Sequence, residues 1–525
     1  MSATNISFSS GHHPFDLAGD LLGERTRLTP EKTALVEVST HRRFTYGELN
    51  DRATRCALLW REQCHLEKGD RIGVLARNRV EFLDAFFAAG RSGIVLVPLN
   101  TRLTPPELEY IIRDCGVKAL LYDGDFEQTV RHLKRTVDIG HWISLDDAID
   151  GTDISYQEAQ ASAKLDAWIP VHCDAEDIHC LLYTSGTTGK PKGVIIPRRM
   201  VLWNAFNTVI SWQLRESDIA PIFTPLFHAG GLSVFLPPIV AIGGTIILHR
   251  GFDAPEICRT LEREQCTIIF AVPTILKLLL EVPGFENVSL SQVRWLISGG
   301  APLPTYLIQE YQKRGVVLKQ GYGLTEVGVN CFAMSVAESL RKPGSIGKPV
   351  MFTQAKLIDS KGSAPAAGEV GELLLRGPHV SKGYWNNPRE TGAAFDDDGW
   401  FRTGDIARCD AEGFFFIAGR RKEMFISGGE NVYPAEIEQV LLSHPDVQDA
   451  AVIGVPDSKW GEVGVACLVV RRQAGIASEE IIQFASLRLA RYKLPKIIRF
   501  LESLPRNASG KILKDELLAR YRSAG

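Results

Sequence analysis

The chain has 525 residues, 59 Lys and Arg against 62 Asp and Glu for a net charge of −3, and 45% apolar residues. That length exceeds what one ordinary core organises, so two or more domains are expected, and the balanced charge gives no electrostatic case for nucleic acid or an acidic membrane surface. The 10 cysteines show no C-x-x-C or Cys/His metal spacing and read as free or buried thiols. With no signal-like start, no apolar run of membrane-spanning length and no peroxisomal address in the last residues, a cytoplasmic protein is expected.

From the N-terminus, helix and strand patterns alternate. Phe44 to Leu49 opens a helix, and 71–75 and 93–99 read as short strands. Cys180-Leu181-Leu182 and Val194-Ile195-Ile196 then flank Tyr183-Thr184-Ser185-Gly186-Thr187-Thr188-Gly189-Lys190-Pro191-Lys192-Gly193, a strand–loop–strand pattern. Glycines let the backbone turn its N–H groups toward an anion, the hydroxyls add donors and the lysines add charge, so a polyphosphate is the expected ligand. The segment does not fit the pattern G-x-x-x-x-G-K-[ST], which disfavours an ordinary P-loop kinase; by itself it serves equally as a glycine-rich hairpin.

Residues 200–212 read as a helix with Asn204 and Asn207 on one face. These two either bond a substrate group or, in the simpler reading, point to solvent. The stretch 219–244 is strongly apolar but broken by prolines and by His228. Strand patterns return at 244–248, 267–270, 293–297 and 316–318, and from Val350 to Arg376 the helices drop out. Beyond Lys422 the pattern restarts. Pro434 suits the first turn of a helix, 450–455 and 465–471 are strands, a capped helix with an acidic first turn begins near Ser478, and a last strand and helix flank Lys511. The expected fold class is α/β: a large N-terminal domain, residues 1–421, of two α/β subdomains plus a small β subdomain, followed by a small mobile α+β domain, residues 422–525.

Five motifs in order resemble the adenylate-forming superfamily of acyl-CoA synthetases, aryl-CoA ligases, luciferases and peptide-synthetase adenylation domains. They are the loop above; Gln320-Gly321-Tyr322-Gly323-Leu324-Thr325-Glu326; Tyr384-Trp385-Asn386 through Gly399-Trp400-Phe401-Arg402-Thr403-Gly404-Asp405; Gly419-Arg420-Arg421-Lys422-Glu423; and Pro505-Arg506-Asn507-Ala508-Ser509-Gly510-Lys511. The resemblance runs from about Phe15 to Leu518. It implies activation of a carboxylic acid by ATP to an acyl adenylate, then transfer to coenzyme A. Such chemistry needs cations and fixed donors around the transferring phosphorus.

Carried onto this chain, the resemblance implies ATP binding by Thr184, Ser185, Gly186, Thr187, Thr188, Gly189 and Lys192, by Gly299, Gly300 and Ala301, by Tyr322 and Gly323, and by Asp405 with Arg420 on the ribose. Lys511 becomes the mobile catalytic cation, although a lone lysine is most often a surface residue. Thr325 donates to phosphate and Glu326 holds Mg2+. His228 lies near the acyl carboxylate. Lys422 is the hinge, and Ser427, Gly428 and Gly429 line the route of CoA. Trp460 joins them or simply packs, and Tyr322, taken alone, is as readily a core residue. Asn207, Phe270, Gly321, Gly323 and Gly328 form the acyl pocket, where small residues imply space.

No Asp lies between Pro225 and Phe235 to take an ammonium, which argues against an amino-acid substrate. A medium- to long-chain fatty acid is the first choice and an aryl or aryl-propenoic acid the second. Luciferase-like oxygenation finds no support. A nucleotide-binding pseudoenzyme is disfavoured by Lys511, Glu326 and Asp405 occurring together. The expected partners are the small acid and CoA alone, with no nucleic acid and no membrane segment; the oligomeric state stays open, a homodimer included.

Overall fold

The computed structural model describes residues 20–147, 149–184, 190–301, 303–366, 368–471, 476–506 and 512–523. The chain divides into two compact units: Met1–Phe206 with Pro225–Arg250 and Ser381–Thr391, and Asn207–Thr224 with Gly251–Val380 and Gly392–Gly525. The boundary expected between 421 and 422 lies inside the second unit.

In the first unit a seven-stranded sheet runs Ile154–Ser155, His141–Ser144, Val117–Tyr122, Arg71–Leu75, Val95–Pro98, Ile178–Thr184, Lys192–Pro197. Its pairs are parallel except the last, an antiparallel hairpin. Burial on both faces explains the continuous apolar runs. The helix Val80–Ser92 is buried along its whole length and ends on Gly93, whose φ of 72° is the left-handed cap that glycine takes without strain. That cap delays the next strand to Val95, two residues later than the sequence pattern suggests. Phe44 is likewise not helical: Arg42–Thr45 is a strand, and Thr45 caps Tyr46–Glu62 through a capping box with Glu48.

The second unit contains three parallel strands, Ile268–Phe270, Trp295–Ser298 and Leu318–Gln320. The third starts at the end of the expected run 316–318 and continues through two polar residues. One of them, Lys319, is only 4% exposed and lies with its ammonium 4.0 Å from the Trp295 ring centre. A four-stranded antiparallel meander follows, Gln354–Ile358, Val370–Arg376, Phe401–Cys409 and Phe415–Arg420, over a core that includes Phe332, Leu373, Leu375, Phe401 and Phe415.

Past Arg420 a five-stranded sheet is built on the long pair Val447–Asp457 and Gly461–Val470. Alternation along the first strand of that pair sends Ala450 and Val452 into one apolar cluster, with Ile437, Leu441 and Ile481, and Ala451 and Ile453 into another, with Leu504 and Leu517. Helices Pro434–Leu442, Ser478–Ser486 and Lys514–Ser523 supply Ile437, Leu441, Ile481 and Leu517. The expected Ser478 cap is corrected: Ser478 is the first helical residue and the cap is Ala477, with no side-chain bond. Among the described residues, no helix is long and apolar enough to cross a membrane.

Candidate active site

Parallel strands direct their C-terminal ends to one side, where α/β proteins place ligands. Here Ser298 and Gln320 end adjacent strands, and the chain continues from them into Gly299-Gly300-Ala301 and Gly321-Tyr322-Gly323. The Gly321 amide donates to the Ser298 carbonyl at 2.7 Å, which holds the two segments side by side. Gly300 has φ of 81°.

The meander adds the polar floor. Asp405 and Arg420 are opposite residues on neighbouring strands, and Arg420 Nε lies 3.1 Å from Asp405 Oδ1. Tyr322 donates its hydroxyl to Asp405 Oδ2 at 2.6 Å, while its ring meets Phe332 edge-on. Burial first, and then the Asp405 charge, push the Tyr322 phenol well above its ordinary pKa, so it stays a donor. Asp405 is 4% exposed. Its carboxylate is thus fixed by one cation and one hydroxyl, a preorganised acceptor for paired hydroxyl groups.

These groups line one cavity of about 310 Å³, within the range of small-molecule sites. One side is Gly300, Ala301, Gln320, Gly321, Tyr322, Gly323, Asp405 and Arg420. Another comes from residues that reading the sequence missed: Lys277, Tyr306, Glu423, Glu438, Asp449, Arg506 and Lys514. Lys514 Nζ sits 2.9 Å from Glu423 Oε2 and 2.7 Å from Glu438 Oε1, and Arg506 pairs with Asp449 at 2.6 Å. Burial lowers the Lys514 ammonium's affinity for its proton, but Glu438 and Glu423 more than offset this, so its pKa is raised. Glu423 and Arg506 stood inside the motifs but were given no role, and the others carried a weak signal, since a lone polar or charged residue on a helix or strand ordinarily reads as solvated or packed.

Other expected residues are placed as follows. Thr184 and Lys192 are opposite each other where the two strands of the hairpin are joined, and Lys192 is paired with Glu390. Ser185, Gly186, Thr187, Thr188, Gly189 and Lys511 lie outside the described residues. Thr325 and Glu326 open a short 3-10 turn, Thr325–Val327. Described residues contain no group of three metal-binding side chains. Glu326 is half-buried. His228 precedes the helix Ala229–Ser233; burial first, then Arg102, lowers its pKa to about 4, so it is neutral at pH 7. Lys422 lies in the turn Arg421–Glu423. Ser427 is buried, and Gly428 and Gly429 take φ of 61° and 88° in a hairpin against Trp460, which is 42% exposed beside Lys459 and Lys496.

The pocket residues bring corrections. A Cβ on Gly323 would stand 2.3 Å from the Val329 carbonyl carbon, and one on Gly321 would stand 3.1 Å from Ile297 Cδ1. Their small size permits close packing of backbone and neighbour, so the argument that it marks empty space fails there. Gly328 has φ of 77° and is required by its turn. Phe270 ends its strand with its ring edge over Gly299. Asn204 and Asn207 do not face solvent: both are buried, Asn204 donates to the Ser233 carbonyl at 2.9 Å, and among the described residues neither polar atom of the Asn207 amide has a partner.

The chain belongs to the AMP-binding enzyme family: the family's description matches residues 22–385, and that of the AMP-binding enzyme C-terminal domain matches 436–511. Its class is that of the AMP-forming acid–thiol ligases, in the acyl-CoA and aryl-CoA synthetase branch. It is 38% identical over 497 residues to a feruloyl-CoA synthase of Amycolatopsis sp, covering 95% of this chain and 97% of that protein. It is 39% identical over 507 residues to the long-chain-fatty-acid–CoA ligase FadD13 of Mycobacterium tuberculosis (strain ATCC 25618 / H37Rv), covering 96% and 98%. The solved structure of o-succinylbenzoate CoA synthetase from Bacillus subtilis, in complex with its acyl-adenylate intermediate, superposes with a TM-score of 0.84 at 35% identity over 95% of this chain and 97% of that one.

Proposed function

We propose that this AMP-forming ligase binds ATP with its ribose on Asp405 and Arg420 and its adenine along Gly299–Ala301 and Tyr322, and joins an apolar carboxylic acid to CoA. The observation that carries the reading is the single cavity in which the strand-end glycines, Tyr322, Asp405 and Arg420 converge. A carboxylate oxygen attacks the α-phosphorus and pyrophosphate leaves. The CoA sulfur, having lost its proton, then attacks the acyl carbon and AMP leaves. Lys511 supplies the cation at the attacking oxygen and α-phosphate, Thr325 donates to phosphate, and Glu326 would hold Mg2+, which neutralises phosphate charge when bound. The neutral imidazole of His228 adds no charge beside the acyl group. Lys422 serves as the pivot between an N-terminal domain, 1–421, and a C-terminal one, 422–525, and rotation there presents Ser427, Gly428, Gly429 and Trp460 to CoA.

A medium- to long-chain fatty acid is the first substrate reading, supported by the 39% identity to FadD13 along nearly the whole chain. An aryl or aryl-propenoic acid is the second. It is supported by the similarity to a feruloyl-CoA synthase and by Asn207, whose buried amide has no partner among the described residues and suits a hydroxyl or ether oxygen. The test is acid-dependent ATP–pyrophosphate exchange with a panel of fatty and aryl acids, followed by thioester formation with CoA. Exchange should appear with one class and drop at least about 100-fold in Lys511→Ala. Exchange that persists in that variant removes Lys511 from its role, and exchange with no acid removes the reading.

A further inference from the structure

We propose that His379 is a positioning residue for adenylation, its imidazole fixing the turn that carries Thr325 and Glu326; this rests on the phosphate and metal roles proposed above for those two residues. The strand Val370–Arg376 runs out through Gly377 and Pro378 to His379, which is 2% exposed. His379 Nδ1 stands 2.5 Å from the Val327 carbonyl oxygen, and Nε2 stands 2.6 Å from Thr353 Oγ1. A carbonyl oxygen only accepts, so Nδ1 carries the proton and donates to Val327. In the neutral ring Nε2 then accepts from the Thr353 hydroxyl.

The turn itself is short and closed. Leu324 and Gly328 form an antiparallel bridge, and between them Thr325–Val327 makes one 3-10 turn, with the Val327 amide 3.3 Å from the Leu324 carbonyl. Val327 ends that turn and is fully buried, and its carbonyl is where the turn is tied to another element. The carbonyl receives the His379 imidazole and the Cys331 thiol at 3.1 Å, and a thiol is a weak donor. Without the imidazole, a buried carbonyl would rest on the thiol. The far side of the ring is fixed as well. Thr353 follows Phe352, whose φ of 59° is a left-handed conformation that a bulky residue rarely takes, and the Met351 amide donates to Ser211 Oγ at 3.2 Å. Gly377 leaves room for this arrangement: a Cβ there would stand 2.6 Å from the Phe352 carbonyl oxygen and 2.9 Å from His379 Nε2. Thr325 and Glu326 stand two residues and one residue before Val327, so a shift at that carbonyl passes to both. A misplacement of about 1 Å at a reacting centre costs on the order of 100-fold in rate.

Two amide side chains separate the two ends of the ring. Asn places its nitrogen near the position of Nδ1 and can still donate to Val327; Gln reaches toward the position of Nε2 and leaves Val327 without that donor. His379→Gln is expected to lower kcat for acid-dependent ATP–pyrophosphate exchange about 10- to 100-fold and to raise the Mg2+ concentration for half-maximal rate, whereas His379→Asn stays within about threefold of wild type. Thioester formation from preformed acyl adenylate should fall less than about threefold in both. A readout independent of activity is deuterium uptake by the backbone amides of residues 324–328 in the ligand-free protein. It should be about tenfold faster or more in His379→Gln and close to wild type in His379→Asn. If His379→Gln fails to fold, Thr353→Val keeps the bond to Val327 and loosens only the far side of the ring; it should lose about 3- to 10-fold in pyrophosphate exchange, with faster uptake at 324–328. Asn and Gln variants alike, equal loss of both half-reactions, unchanged uptake in His379→Gln, or Thr353→Val at the wild-type rate overturns the proposal. Wild-type protein without acid-dependent pyrophosphate exchange overturns the reading beneath it and this one together; normal wild-type exchange with Asn and Gln variants alike overturns the role of His379 alone.

Discussion

Lys319 stands one residue before the segment that lines the cavity, yet its ammonium is buried against the Trp295 ring. Burial first, and Arg294 second, lower its pKa from 10.5 to about 7. At about 1.4 kcal/mol per tenfold change in proton affinity, holding the charged form inside costs about 5 kcal/mol, against which the ring returns about 1–2 kcal/mol. Lys319→Met has similar length and no charge to bury, so it should be more stable than wild type by about 3 kcal/mol near pH 6. The sign of the pH effect follows from proton counting. Below about pH 7 both folded and unfolded chains carry the proton, and the penalty is constant. Between about 7 and 10.5 the folded chain has lost it and the unfolded chain keeps it, so wild-type stability rises with pH. The advantage of the variant should therefore shrink by about 2 kcal/mol between pH 7 and pH 9. Urea unfolding of both proteins at pH 6, 7, 8 and 9 measures it. An advantage that does not vary with pH, or a wild type more stable at pH 6, refutes the argument that the buried charge is the cost.

Gly323→Ala should fold poorly or lose several kcal/mol, on the order of 3, because a Cβ at 2.3 Å from the Val329 carbonyl carbon meets backbone that cannot yield; a soluble variant with an unchanged melting temperature would disprove the packing role and restore the pocket role. If Asp405 holds the ribose as proposed, Asp405→Asn should raise KM for ATP about tenfold or more, since it weakens the acceptor that Tyr322 and Arg420 hold in place, and should leave KM for the acid within about twofold. Steady-state kinetics in each substrate decides this, and equal changes in both KM values count against a ribose role.

Reading the chain alone was enough for the two strands Ile178–Thr184 and Lys192–Pro197, the helix start at Pro434, the alternating pair of strands in the small domain and the order of the five motifs. Each of these depends on residues close in sequence: a period of two, a proline suited to a first turn, glycines flanked by apolar runs. The resemblance named Asp405 and Arg420 from contiguous motifs, and the structure pairs them in the cavity wall. Where boundaries slipped, at Phe44, Gly93 and Ser478, a cap or a pairing partner decided the state, and the partner was elsewhere in the chain or one residue away.

Tertiary structure alone decided what faces what. Glycines at 321 and 323 look alike in sequence whether they open a pocket or let two backbones touch, and only the position of Val329 tells them apart. Asn207 reads as a polar residue bound for solvent until the helix around it is buried. The Lys514 bridge joins residues 423, 438 and 514, whose separations carry no periodic signal. Charges pair through space at distances set by packing, and packing is fixed by the whole sheet and its helices rather than by neighbours along the chain.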